Sequence, residues 1–237
     1  MKIAICFAGE PRFYKKGAEY MQSFYRGCET DYYIHSWTTP ESIEKTYKEL
    51  NEFFTPKKLS VQPYINFDTF FSTNEIQNLS PNLSNAVSFL RSNFEVGKLL
   101  EDENIAQYDY VIFSRTDVAA DGCLLRVLNE KSNGQKLYTS YVNGDRWIID
   151  PNNYHEDNII DTKFVCSDKE NMVYFSKLYE NLFEYVVEQK RPICHHRLYF
   201  HHMKQRIKKY GHELLMPNKE HIIGGWHWIR NNKLSNY

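Results

Sequence analysis

Short apolar, β-prone runs that end abruptly in polar residues set the rhythm of the first half of the chain. Lys2-Ile3-Ala4-Ile5-Cys6-Phe7 is closed by Ala8-Gly9-Glu10-Pro11, which predicts a fully buried strand ending in a tight turn. Asp31-Tyr32-Tyr33-Ile34-His35-Ser36-Trp37 repeats the design, and Tyr108-Asp109-Tyr110-Val111-Ile112-Phe113 repeats it again before Ser114-Arg115-Thr116-Asp117. Residues 15 to 27 have helical composition. Strand, helix, strand within ~35 residues is the size of a βαβ unit, so the pattern implies a parallel sheet. Val87, Leu90, Phe94, Leu99 and Leu100 recur at helical spacing and predict a long helix from Ser84 to Glu103 that feeds the third strand. A charged helical pattern covers residues 41 to 53, after which Pro56 and Pro63 predict an irregular or extended connection.

The second half is less regular. Lys136-Leu137-Tyr138-Thr139-Ser140 and Thr162-Lys163-Phe164-Val165-Cys166 read as strands around an Asn/Asp/Gly-rich loop. Asn171 to Glu188 and Cys194 to Tyr210 read as helices, the second stopped by Gly211. The stretch from Glu220 to Trp228 is rich in His, Gly and Trp, an odd composition for a solvated end, and predicts a segment folded back over something. No repeat, low-complexity tract or linker divides the chain, so the expectation is one α/β domain over residues 1–237.

Composition narrows the function. The 29 Lys and Arg against 30 Asp and Glu leave a formal charge of −1, without the basic surplus that neutralises nucleic-acid phosphates. No stretch approaches the ~20 apolar residues of a membrane span, and the run from Ile3 to Ala8 is too short for a signal-peptide core. The five cysteines are odd in number, widely spaced and free of CxxC pairs, which predicts reduced thiols and a cytoplasmic protein. Asn78-Leu79-Ser80 and Asn82-Leu83-Ser84 read as loop residues, not glycosylation sites. The abundance of Tyr, Phe, Asn and Lys matches AT-rich coding and says little about a site.

In open parallel α/β sheets ligands bind beyond the carboxyl ends of the strands, so the polar residues there are the first candidates. Gly9 lets a ligand approach the backbone and Arg12 is suited to a phosphate. His35-Ser36-Trp37 and Arg115-Thr116-Asp117 follow the other two strands. Each has a plainer reading: a turn, a solvated Arg, a satisfied core His, a core-capping Trp. The third is hardest to dismiss, because it sets two opposite charges at the end of a strongly apolar strand. GxGxxG, GxxxxGK[ST] and GxSxG are all missing, against dinucleotide oxidoreductases, P-loop NTPases and α/β hydrolases. His195, His196, His201 and His202 lack the i, i+4 pairing of a zinc helix, since Tyr199, Phe200, Gln205 and Arg206 hold those places; a polar or donor-site surface fits them better.

The three strand-end segments, in that order and spacing, resemble GT-A-fold glycosyltransferases over about the first half of the chain. More narrowly, they are similar to the group found in bacterial surface-polysaccharide loci, including WavE-type lipopolysaccharide synthesis proteins, and in large DNA viruses and phages. Asp161-Thr162-Lys163-Phe164 with the helix from Asn171 resembles the acceptor side of that pattern, less specifically. The resemblance implies a Rossmann-like, mostly parallel sheet flanked by helices. Residues 1–120 would be the nucleotide-sugar donor half, and residues 121–237 the acceptor half with a C-terminal closing segment. The implied activity is hexosyl or deoxyhexosyl transfer from a nucleotide sugar to a glycan or glycolipid, in surface-polysaccharide or viral glycan synthesis, in the cytoplasm (the host's, for a virus). Ala8, Gly9 and Arg12 would lie near the nucleotide and phosphates and His35 and Trp37 near the base or ribose, with Arg91 reaching in from the long helix and Arg115 beside Asp117. Mn²⁺ or Mg²⁺ would bridge the diphosphate to Asp117, with His227 as a further metal ligand. Asp161 would be the general base, with Glu156 and Asp157 behind it.

The chain departs from the usual Asp-x-Asp at its first acidic position, which is Arg115. Either the metal relies on other ligands or Arg115 supplies part of the positive charge itself. Two other classes stay open: a non-catalytic nucleotide-sugar or glycan binding module on the same fold, and a nucleotidyltransferase, whose glycine-rich basic signature near the first strand is missing.

Overall fold

The structure is a computed structural model and describes residues 1–67, 83–120, 123–124, 128, 138–139, 160, 162, 164–210, 226–230 and 233–235. Its first strand, β1 (Lys2–Ala8), leads through helix α1 (Tyr14–Phe24) to β2 (Glu29–Thr38), and the two strands pair in parallel with Ala8 opposite His35. Helix α2 (Ile43–Phe54) follows, then a third parallel strand, β3 (Lys58–Pro63), on the far side of β2. The expected irregular or extended connection is therefore an edge strand, and Pro63 at its last position is where a residue lacking an N–H does least harm. The long helix α3 (Leu83–Glu101) returns the chain to β4 (Tyr110–Ser114), parallel to β1 on its other side.

After β4 come three shorter strands: β5 (Val118–Ala120), β6 (Tyr138–Thr139) and β7 (Phe164–Ser167), the last antiparallel to β4 and to β6. Among the described residues the central sheet has six strands in the order β3-β2-β1-β4-β7-β6 and is mostly parallel, as expected. The helix predicted over 171–188 breaks into α4 (Lys169–Ser176), a 3-10 turn (Lys177–Asn181) and a π-helical turn (Glu184–Glu188). At the first break Ser176 Oγ donates to the Val173 carbonyl at 2.8 Å, a side-chain bond that competes with the helical ladder. Helix α5 (His195–Tyr210) agrees with its prediction. No helix among the described residues is long and apolar enough to cross a membrane.

Strand alternation assigns the two faces. On β1, Ile3, Ile5 and Phe7 pack with Met21 and Phe24 of α1 and Leu50 and Phe54 of α2. The opposite face carries the small Ala4, Cys6 and Ala8, which with Tyr33, Val111 and Phe113 meet Val87, Leu90 and Val96 of α3, Phe175 of α4 and Tyr199 of α5. Small side chains there let α3 lie close over the middle of the sheet. The C-terminal stretch folds back as expected: β8 (Trp226–Arg230) pairs antiparallel with β5, setting His227 opposite Ala119, and β9 (Lys233–Ser235) completes a second, three-stranded sheet.

One contact fixes the turn after β4. A Cβ added to Gly17 of α1 would stand 1.9 Å from the Thr116 carbonyl oxygen, so the helix backbone lies directly on the backbone of the turn. Gly17→Ala is expected to destabilise the protein by about 1–3 kcal/mol, because both contacting groups are main chain and cannot swing aside. Urea melts of the two proteins check this, and an unchanged midpoint would mean the contact is loose.

Candidate functional site

A cleft of about 600 Å³ opens at the carboxyl ends of the parallel strands, the size of a small-molecule site. Its floor is Ala8 and Gly9 at the end of β1, Trp37 near the end of β2 and Arg115 just past β4. Glu10 and Arg12 form one wall, Ser84, Asn85, Ser88 and Phe89 of α3 the other, and Tyr64 and Ile65 the mouth. Gly9 sits at φ +107° with its N–H donated to the His35 carbonyl at 3.1 Å, a backbone shape that suits glycine, and open space surrounds its missing Cβ. Trp37 is 2% exposed, and its Nε1 is a buried neutral donor with no hydrogen-bond partner among the described residues.

The turn after β4 contains a bidentate ion pair. Arg115 donates from Nε to Asp117 Oδ1 at 2.8 Å and from Nη2 to Oδ2 at 2.7 Å. Asp117 is 6% exposed and Arg115 only part-buried, and of the two it is Arg115 that lines the cleft. Thr116 Oγ1 donates to the Arg12 carbonyl at 3.3 Å, tying this turn to the loop after β1. Arg12 itself pairs at the surface with Glu10, its Nε donating at 2.6 Å, and it also feels the Asp117 charge.

Two expected donor contacts stand elsewhere. His35 is fully buried and does not line the cleft; its Nδ1 is 2.7 Å from Ser92 Oγ and its ring meets Trp37 edge-on, with centroids 4.5 Å apart. It supports the indole from below. Arg91 is turned to its own helix face, paired with Glu95 and packed over the rings of Phe94 (5.5 Å) and Tyr179 (5.1 Å). The i, i+4 spacing of Arg91 and Glu95 already allowed that pairing. Ala8, Gly9, Arg12, Trp37 and Arg115 are brought together as expected.

Sequence reasoning missed the α3 wall. Ser84, Asn85, Ser88 and Phe89 share one helical face, which a wheel of this helix shows once its N-terminal end is known to reach the strand ends. His195, at the start of α5, packs against Phe89 with ring centroids 5.1 Å apart. Burial first, then His196 and Arg115, hold its pKa well below the usual imidazole value, so it is neutral at pH 7. Its neighbour His196 donates from Nδ1 to the Ile160 carbonyl at 2.8 Å and lies 3.5 Å from Thr162 Oγ1. Asp161, the expected base between those two residues, lies outside the described residues, as do Glu156 and Asp157. The backbone of His227 faces the strand that follows Asp117, and its side chain is outside what the structure describes.

A divalent cation on Asp117 would need several oxygen or nitrogen ligands. Among the described residues no three His, Cys, Asp or Glu side chains gather to hold one, and both Asp117 oxygens already accept from Arg115. The described residues do not by themselves make up a cation site, and the side chain of His227, the other expected ligand, lies outside them.

No protein-family model matches the chain, and no curated protein matches it. Similar solved structures include mouse xyloside xylosyltransferase 1 in its apo form, 11% identical with a TM-score of 0.44 over 92% of this chain and 85% of that one. An active-site variant of LgtC is 11% identical with a TM-score of 0.49, covering 86% of this chain and 70% of that one. Galactosyltransferase LgtC in complex with donor and acceptor sugar analogues is 12% identical with a TM-score of 0.48, at the same 86% and 70%. At such identities and with TM-scores below 0.5 the likeness bears on no residue of the cleft and on no chemistry.

The buried histidines give the fold a pH response. Burial lowers His35 from 6.5 to about 4, and His202, buried between Tyr185 and Tyr174, likewise to about 4. Below pH 6.5 the unfolded chain binds protons that the folded chain refuses until about pH 4, so stability falls as pH drops through that window. Each group is expected to cost about 2 kcal/mol by pH 4.5. Urea melts at pH 7 and 4.5 read the loss, and His35→Asn should show a shallower pH dependence than the wild type; an equal slope would remove His35 from the effect.

Proposed function

We propose that this protein is a glycosyltransferase that moves a sugar from a nucleotide-sugar donor to a hydroxyl of a glycan or glycolipid. The observation that carries the reading is the cleft at the carboxyl edge of the parallel strands, which joins two guanidiniums, Arg12 and Arg115, with an approachable backbone at Gly9. Guanidiniums suit phosphate oxygens, and a leaving nucleoside diphosphate is the anion that sugar transfer must stabilise. The Tyr64 ring, 49% exposed at the mouth, offers an aromatic face for a base or sugar. The motif resemblance supports the same class and, more finely, a hexosyl or deoxyhexosyl donor, a surface-polysaccharide or viral glycan product, and a cytoplasmic setting.

For the acceptor side we assign Asp161 as the general base, a carboxylate that takes the proton of the attacking hydroxyl as that oxygen bonds to the anomeric carbon and the diphosphate leaves. The support is its position between Ile160 and Thr162, both of which touch His196 at the start of α5, next to His195 and Phe89 of the cleft wall. A second reading, a nucleotide-sugar binding module without chemistry, draws on the single carboxylate of the motif being already paired with Arg115.

A thermal-melt screen of nucleotide sugars is expected to find one that raises Tm by about 5–10 °C at a hundredfold excess over Kd, equivalent to about 2.7 kcal/mol. The same donor should then be transferred to a sugar acceptor or slowly hydrolysed, with Asp161→Asn lowering turnover more than donor affinity. Binding without turnover would favour the module; a flat screen would refute both.

A further inference from the structure

We infer that Arg115, not a divalent cation on Asp117, meets the diphosphate of the donor, and that Asp117 is the positioning residue that holds the guanidinium in place. This rests on the cleft being the donor site. The lining decides which group a ligand encounters: Arg115 forms part of the cleft surface, whereas Asp117 is 6% exposed and is not among the lining residues. A cation seeking Asp117 would have to share the carboxylate with a guanidinium that already bonds both oxygens, at 2.8 and 2.7 Å, and would be repelled by its charge.

The pair is also held from outside. Gly17 packs its backbone on Thr116, and Thr116 is bonded to the Arg12 carbonyl, so the residue between the two partners has little room to shift. Asp117 engages Nε and Nη2, and in a planar guanidinium Nη1 lies on the opposite edge, turned from the carboxylate. Holding one edge on Asp117 orients the group without discharging it.

The charges then sort by strength. The Arg12–Glu10 pair has side chains 58% and 38% exposed, and exposed pairs are weak, so an incoming diphosphate displaces Glu10 and takes Arg12. The Arg115–Asp117 pair is bidentate with a buried carboxylate and stays intact. Among the described residues, that leaves Arg12 and Arg115 both lining the cleft, with the Asp117 carboxylate held below. The positive charge that a metal would bring is supplied by the chain.

Calorimetry with UDP, GDP, CDP, ADP and dTDP, first in EDTA and then with excess Mn²⁺, tests this on the full chain. At least one nucleotide is expected to bind with a Kd that differs by less than about threefold between the two conditions, since no cation is needed. Arg115→Gln should weaken that binding at least about tenfold, and Asp117→Asn less; the double variant should be no weaker than Arg115→Gln, because a positioning residue has no effect once its target is gone. Melts confirm that each variant folds, and if Asp117→Asn does not, the wild-type comparison in EDTA still decides. Binding that requires Mn²⁺ would overturn the inference and leave the donor reading standing. No binding in either condition would bring down both.

Discussion

The ion pair inside the turn after β4 is the constraint around which the candidate site is arranged. A carboxylate buried to 6% exposure is tolerable only with a well-placed partner, and Arg115 supplies one through two N–H bonds. Once the guanidinium is committed there, its position is set by the backbone, and the backbone is set by the contact between Gly17 and Thr116. A helix on one face of the sheet thus determines where a charge stands at the sheet's edge.

Around that point the fold delivers its other groups by ordinary rules. Parallel pairing brings the ends of β1, β2 and β4 level, so Gly9, Trp37 and Arg115 converge although they are far apart in sequence. The small residues on one side of β1 let α3 approach, and the N-terminal part of α3 then becomes the cleft's second wall. His35 links the two layers: bonded to Ser92 of α3 and seated under Trp37, it stays neutral because it is buried. The return of the C-terminal stretch onto β5 adds a second sheet directly after the Arg115 turn.

Much of this is legible in the sequence where burial on both faces writes a continuous apolar run, as in Ile3 to Phe7 and Val111 to Phe113. Edge strand β3 is legible only as an irregular or extended connection, because its residues are half-buried and Pro56 before it and Pro63 at its end resemble those of a loop. The polar strand ends name Gly9, Arg12, Trp37 and Arg115 correctly as neighbours, but a one-dimensional pattern does not say which charge faces the ligand and which lies under it. For Arg115 and Asp117 that depends on the turn folding back on itself. It also hides groups that arrive from other elements, such as Phe89 and His195, whose contact joins α3 to α5. His35 looks like a ligand contact and is a support, because strand position sets its direction but only packing sets its depth.

The most direct measurement is a crystal structure of the protein soaked with the nucleoside diphosphate it binds in solution. Pyrophosphate density within hydrogen-bonding distance of Arg115, with Asp117 still on the guanidinium and no metal between, is the predicted result. Density at a distant surface, or a cation seated on Asp117 with Arg115 swung away, would contradict it.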